Sequence, residues 1–85
     1  MTRAELLALA DRCDTEAGPD NRLDVLVEVA LFKPHDGFTA ARANAAGTKV
    51  IYTTIYGQQT FWAEEWTADR DDTSKRLRAI AGDRE

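Results

Sequence analysis

Residues 48–66 read TKVIYTTIYGQQTFWAEEW, and this stretch decides the fold. Its first part, residues 48–56, is almost entirely β-branched or aromatic, which is typical of a strand. The YGQQ that follows indicates a turn, because glycine tolerates the positive φ of tight hairpins. Residues 60–66 then predict a second, antiparallel strand with Trp62 and Trp66 on one face. The centre of the chain is therefore predicted to be a β-hairpin with aromatic side chains on both faces.

A helix is predicted at the start of the chain, over residues 3–16. Thr2 and Glu5 have the spacing of a capping box, in which each side chain accepts a hydrogen bond from the other residue's backbone N–H. Gly18 and Pro19 end the helical pattern. The apolar residues of this segment recur at helical spacing on one face, and they are Leu6, Leu9, Ala10 and Cys13.

Residues 22–32, RLDVLVEVALF, predict a second helix. Asp20 or Asn21 precedes it as a helix cap, and the apolar residues again form a helical stripe. A strand remains the alternative, because β-branched residues alternate along the segment, namely Val25, Val27 and Val29.

The two remaining segments are a loop and a C-terminal helix. Residues 33–47 contain proline, glycine and a run of alanine, and predict a loop with at most one helical turn around Thr39–Asn44. Residues 71–82, DDTSKRLRAIAG, begin with capping residues and end in glycine, as helices commonly do. The change from a period of 3.6 residues before Lys33 to a period of two after Thr48 predicts an α+β fold. In it, a small antiparallel sheet is covered by the N-terminal and C-terminal helices.

Length and composition limit the classes of function. The 85 residues, of which 44% are hydrophobic, predict one globular domain spanning 1–85. A core of this size leaves little room for a deep substrate cleft, which argues against an ordinary enzyme. The chain has no apolar run of about 18 residues, and acids occur too early for a signal peptide. A lone cysteine, Cys13, excludes an internal disulfide and favours a reducing cytoplasm.

The candidates for catalysis or metal binding are weak. His35 and Asp36 are adjacent loop residues, whose side chains rarely point together, so an exposed histidine is favoured. Cys13 lies on the apolar stripe of the first helix, where a free thiol usually packs as a small hydrophobe. Glu64 and Glu65 would face opposite sides of a strand and could not share one substrate atom. We therefore predict no catalytic residues, no metal site and no cofactor.

The basic cluster Lys75, Arg76 and Arg78 is the best candidate for nucleic-acid contact, with strand aromatics as stacking platforms. The whole chain has 15 acidic and 11 basic residues, a formal charge of −4. Neutralisation of phosphates dominates affinity for nucleic acids, so this charge disfavours direct binding.

Negative charge is most concentrated in residues 64–72, EEWTADRDD. Five acids and one base give this stretch a formal charge of 1 − 5 = −4, equal to that of the whole chain. One interpretation is a solvated connection whose aspartates cap the next helix. The other is an acidic patch, bordered by tryptophan, that binds a basic protein surface. The candidate protein-binding residues are Trp62, Glu64, Glu65, Trp66, Asp69, Asp71 and Asp72.

The beginning of the chain resembles a family of small bacteriophage and prophage proteins, the phage ABA-sandwich domain. The residues that carry the resemblance span Glu5–Cys13, followed by Gly18-Pro19-Asp20 and Leu23-Asp24. The family's Tyr-Thr motif corresponds to Phe38-Thr39, but the serine, leucine and aspartate that usually follow it are missing. The resemblance implies a helical start, a tryptophan-rich hairpin, a C-terminal helix and a phage origin.

Two classes of function follow from these observations. The first is a non-enzymatic phage inhibitor of a host defence complex, for example an anti-CRISPR protein, acting in the host bacterial cytoplasm. Its acidic patch would block a basic nucleic-acid channel of a host protein or nucleoprotein. The second is an accessory or virion-assembly protein that acts through homo-oligomerisation, with a symmetric homodimer as the simplest form.

Overall fold

Three helices and a three-stranded sheet form the part of the chain that the structure, a computed structural model, describes, residues 2–83. In chain order the elements are α1 (Arg3–Thr15), α2 (Asn21–Leu31), β1 (Phe38–Ala43), β2 (Val50–Thr54), β3 (Gly57–Phe61), a 3₁₀ turn (Trp66–Ala68) and α3 (Arg70–Gly82). The sheet is antiparallel throughout in the order β1-β2-β3. The predicted α+β class, with helices at both ends of the chain, is confirmed.

Helix α1 begins and ends close to its predicted limits. The Glu5 backbone N–H donates to the Thr2 hydroxyl (3.1 Å), and the Thr2 N–H donates to the Glu5 carboxylate (3.4 Å). This is the predicted capping box, and it satisfies donors that a helix N-terminus leaves unpaired. The four residues of the predicted apolar stripe are all buried.

Helix α2 resolves the choice between helix and strand for residues 22–32 in favour of the helix. Asp20 is its cap and accepts a hydrogen bond from the Leu23 N–H (3.1 Å). The helix lies between two layers, so its apolar residues occupy more than one face. One face joins the core of α1 and α3. Glu28 and Phe32 lie on another face and contact Tyr52 of β2. Burial on two sides explains why the valines alternate as they would in a strand.

Helices α1 and α3 pack against each other and run in opposite directions. The Arg70 guanidinium, at the start of α3, donates to the carbonyls of Arg12 (3.2 Å) and Gly18 (3.2 Å) at the end of α1. Further along, Arg78 pairs with carboxylates on α1. The core that α1 and α3 share with α2 consists of Leu6, Leu9, Ala10, Cys13, Leu23, Val27, Ala30, Leu77 and Ala81.

The prediction of a loop with a helical turn around Thr39–Asn44 is wrong, because Phe38–Ala43 is strand β1. Half of its sequence, FTAARA, is alanine, which has a low preference for strands. The strand forms because it pairs with β2 over its whole length, from Phe38 opposite Thr54 to Ala43 opposite Val50. Tertiary pairing therefore overrides the local preference.

The hairpin turns earlier than predicted. Strand β3 is Gly57–Phe61, not 60–66, and the loop consists of Ile55 and Tyr56. The Thr54 hydroxyl closes this loop, because it accepts from the Tyr56 N–H (3.1 Å) and donates to the Gly57 carbonyl (2.9 Å). Gly57 has a φ of 126°, so it supplies the predicted glycine conformation at the end of the loop.

The earlier turn moves both tryptophans out of the sheet. Trp62 follows the last residue of β3, and Trp66 begins the 3₁₀ turn. The prediction that they share one face of a strand is therefore wrong. No helix within residues 2–83 combines the length and the apolar character needed to cross a bilayer.

The same substitution at two leucines of α2 tests which face of this helix is buried in the core. Leu23 is fully buried, whereas Leu26 is 37% exposed. We expect Leu23→Ala to lower the free energy of unfolding by about 2–5 kcal/mol, because it removes core contacts and leaves a cavity. Leu26→Ala should lower it by about 1 kcal/mol or less. Urea denaturation followed by circular dichroism measures both, and equal losses would contradict the assigned orientation of α2.

Candidate functional site

The Glu28 carboxylate, on α2, accepts three hydrogen bonds from two parts of the chain that are distant from it in sequence. The Tyr52 hydroxyl donates to its Oε2 (2.9 Å), and the Trp66 indole Nε1–H donates to its Oε1 (2.7 Å). The Glu64 backbone N–H also donates to Oε1 (3.3 Å). One half-buried carboxylate thus connects α2, β2 and the segment after β3.

A second carboxylate of α2 holds the 3₁₀ turn. Asp24 is buried and accepts from the Thr67 backbone N–H (2.7 Å). The Thr67 hydroxyl accepts from the Asp20 N–H (2.9 Å), and the Thr73 hydroxyl donates to the Trp66 carbonyl (2.7 Å). These bonds fix the direction in which Trp66 leaves the backbone.

An open groove lies between α2, the sheet and the second half of α3, with a volume of about 840 Å³. Aromatic side chains supply much of its wall. The Tyr52 ring is central, since its centroid lies 5.8 Å from those of Phe32, Phe38 and Phe61. We call this hollow the aromatic groove; its lining residues with ring side chains are Phe32, His35, Phe38, Tyr52, Phe61, Trp62 and Trp66.

Charged side chains of both signs border the aromatic groove. Glu28 and Glu64 supply two carboxylates, while Lys33 and Arg76 supply two cations. The Arg76 guanidinium lies 5.0 Å above the Trp66 ring. Outside this set, the Lys49 ammonium lies 4.6 Å from the Trp62 ring centroid. The structure thus already places a cation on each tryptophan face, at distances typical of cation–π contacts.

Six residues of the predicted acidic patch line three different hollows. Trp62, Glu64 and Trp66 line the aromatic groove. Glu65 lines a second hollow, which Trp62 also borders, together with Asp24 and Pro19. The chain turns sharply at Trp66–Ala68, so the aspartates that follow lie elsewhere, and three of the seven predicted residues come together in the groove.

The three aspartates of the predicted patch lie at the start of α3. Asp69 and Asp71 line the third hollow, beside the end of α1. Asp69 is the cap of α3 and accepts from the Asp72 N–H (3.1 Å), so the capping interpretation holds for Asp69. None of the ion pairs among residues 2–83 involves an acid of the patch. Its carboxylates remain exposed to solvent.

The structure separates the basic cluster of α3. Arg78 pairs with Asp11 (3.0 Å) and with Asp14 on α1, and the bond to Arg78 lowers the pKa of the Asp14 carboxyl. Arg76 lies over Trp66 on the groove side, and Lys75 is exposed. Only part of the cluster is therefore available to an external phosphate.

The histidine and the cysteine lie where the sequence predicts. His35 is exposed, its ring is stacked on Phe38 at 5.4 Å, and its Nδ1 lies 2.7 Å from the Lys33 carbonyl. Cys13 is buried in the helical core, and burial raises the pKa of its thiol. Among the described residues, no three His, Cys, Asp or Glu side chains come close enough to hold a metal ion.

Sequence analysis missed Glu28 and most of the ring residues of the groove. Glu28 occupies a single polar position in the apolar run VLVEVALF, and the sequence analysis assigned it no role. The signal was present, because a carboxylate within such a run requires hydrogen-bond donors when it is buried. The identity of those donors depends on pairings that only the folded chain shows.

No sequence-family model, no curated protein and no solved structure matches this chain. The resemblance of its first third to the phage ABA-sandwich family stays a prediction. The site therefore has to be interpreted from its own chemistry.

The bond between Tyr52 and Glu28 predicts a pH dependence of stability. Burial and this bond raise the pKa of the Tyr52 hydroxyl. The unfolded tyrosine ionises near pH 10, whereas the folded one stays neutral there, so the free energy of unfolding should fall as the pH rises above about 10.

Tyr52→Phe should remove much of this fall and also cost about 1.5 kcal/mol at neutral pH, as expected for a hydrogen bond to a charged group. Tyr56, which is 92% exposed, provides the matched control Tyr56→Phe. Urea denaturation between pH 7 and 11 measures both variants. Identical pH profiles for the two variants would contradict the assignment.

Proposed function

We propose that the protein is a non-enzymatic binding module whose aromatic groove receives a basic segment of a partner protein. The observation that supports this most directly is the association of Trp62, Glu64 and Trp66 in one open groove. Glu28 also lines this groove and accepts a hydrogen bond from the Trp66 indole. Tryptophan supplies anchoring area, and carboxylates supply attraction and register.

The existing cation–π contacts support a cationic ligand. Lys49 lies over the Trp62 ring, although Trp62 is still 68% exposed. A guanidinium of the partner is planar and weakly hydrated, so it can replace the lysine on this ring and also approach the Glu64 carboxylate. The formal charge of −4 would accelerate the encounter with a basic surface.

A more specific form of the proposal is an anti-CRISPR-like inhibitor, encoded by a phage, that acts in the host cytoplasm. It would occupy a lysine- and arginine-rich channel through which a host defence complex binds nucleic acid. Small size, negative charge and the phage-like N-terminal sequence support this form. The exposed aspartates at the start of α3 would then extend the negative surface beyond the groove.

The second candidate is a phage accessory or assembly protein that acts through self-association. One observation favours it, namely that large apolar side chains are exposed at both ends of β3. These side chains are Ile55, Tyr56, Phe61 and Trp62.

Binding of an arginine-rich peptide tests the groove, with a peptide of the same length in which glutamate replaces arginine as the negative control. We expect the Trp62 indole N–H signal to shift in NMR titrations with the arginine peptide only. Trp62→Ala should weaken binding by about 30-fold, as expected for an anchor worth about 2 kcal/mol.

Glu64→Gln should weaken binding by up to about fivefold and flatten its dependence on salt, because an exposed ion pair contributes up to about 1 kcal/mol. Asp71→Asn is the matched control, since it removes the same charge from the same acidic stretch but lies in another hollow. Equal effects of the two substitutions would indicate a diffuse acidic surface and contradict the groove.

A further inference from the structure

Strand β3 is an unprotected edge of the sheet. All five of its residues are exposed, and its sequence, GQQTF, contains no charge and no proline. The opposite edge, β1, carries Arg42, a break in register between Phe38 and Ala40, and a bridge to His35. Charges and irregularities of this kind discourage edge pairing, and β3 has neither.

The backbone of β3 has free hydrogen-bonding groups in a regular order. The Ile55 N–H donates to the Gly37 carbonyl (3.1 Å), so this residue bonds towards β1. Its neighbour Thr54, and every second residue of β2 before it, therefore bonds to β3. On β3 the alternate residues Gln58 and Thr60 consequently direct their N–H and C=O groups away from the sheet.

We propose that a second copy of this chain pairs antiparallel along β3, about a two-fold axis through Gln59. In this register Gln58 lies opposite Thr60 of the second copy, so the free backbone groups of the two edges face one another. Gln59 lies opposite Gln59, which is a pair without backbone hydrogen bonds between its members. The edges are uncharged, so the symmetry brings no like charges together.

The same register accounts for the exposed apolar residues around β3. It places Gly57 of one copy opposite Phe61 of the other. Glycine has no side chain to cover the backbone at the sheet edge, and the Phe61 ring covers it instead. It also brings Tyr56 beside Trp62. The exposed fraction is 92% for Tyr56, 48% for Phe61 and 68% for Trp62. The apolar residues at one end of β3 thus cover those at the other end.

The surface area that two copies can bury reaches the minimum for a specific protein–protein interface. A buried aromatic side chain removes about 150–250 Å² from water. With Ile55 and the polar side chains of β3 added, two copies bury on the order of 1,000 Å², the lower limit for specific pairing.

The two-fold axis is perpendicular to the sheet, so pairing forms a continuous six-stranded sheet. Both copies of α2 then lie on the same face, and so do both aromatic grooves. In this dimer Tyr56 of the second copy covers part of the Trp62 ring, so the dimer and a partner's guanidinium compete for that ring.

Substitution of Gln59 tests this register, because it is the residue that faces itself. By light scattering, the protein should have a mass near twice 9.5 kDa at micromolar concentration. Gln59→Lys and Gln59→Glu each place like charges directly opposite and should raise the dissociation constant at least about tenfold. A mixture of the two variants should restore the dimer. Ala40→Lys, which adds a charge to the opposite edge, should leave the mass unchanged.

Cysteine cross-linking gives an independent test of the register. Residues in a pair without backbone hydrogen bonds lie about 4.5 Å apart at Cα, which a disulfide can bridge. Gln59→Cys should therefore form a covalent dimer under mild oxidation, whereas Gln58→Cys should form much less. A mass of 9.5 kDa for the unsubstituted protein would overturn the proposal. So would a dimer that persists in Gln59→Lys, or equal cross-linking at the two positions.

Discussion

The arrangement of the groove depends on the hydrogen bonds that the Glu28 carboxylate accepts. This carboxylate accepts from the Tyr52 hydroxyl, the Trp66 indole and the Glu64 N–H, which are 24 to 38 residues away in the sequence. A half-buried charge is costly unless donors surround it, and these donors satisfy it. Because the donors belong to β2 and to the segment that follows β3, satisfying one charge fixes the sheet and the 3₁₀ turn relative to α2.

The position of Trp66 shows why a concentration of charge along the sequence did not become one surface. Asp24 and Glu28 hold the Trp66–Ala68 turn against α2, and the chain changes direction there. Glu64 lies before the turn and Asp71 after it, so they border different hollows. A run of acids in sequence predicts a negative surface only when the backbone between them is straight.

Local rules predicted the elements whose signals are local. The Thr2–Glu5 capping box and the stripe of α1 depend on residues a few positions apart, and both appear as expected. The glycine of the hairpin was identified, but the Thr54 hydroxyl closes the loop before the position that the glycine indicated. Strand β1 was missed because its alanines carry no strand signal and its pairing with β2 is a long-range property.

The residues of the candidate site divide in the same way, into those with a local sequence signal and those that depend on long-range contacts. Trp62 and Glu64 were among the predicted residues because tryptophan and a local concentration of charge are visible in the sequence. Glu28 and Tyr52 were not recognised, because no residue within a few positions of either one indicates its hydrogen-bond partner. Their shared role exists only where α2 crosses the sheet. Residues that act through a tertiary hydrogen bond leave little trace in local sequence patterns.

Hydrogen exchange of the two tryptophan indoles tests the role of Glu28 most directly. Both indole N–H signals are observable by NMR, and Trp62 serves as an internal control because it has an exposed side chain. We predict that the Trp66 indole exchanges much more slowly than that of Trp62, and that Glu28→Ala removes most of this protection while the helical circular dichroism persists. Equal exchange of the two indoles in the unsubstituted protein, or protection of Trp66 that survives Glu28→Ala, would contradict the account.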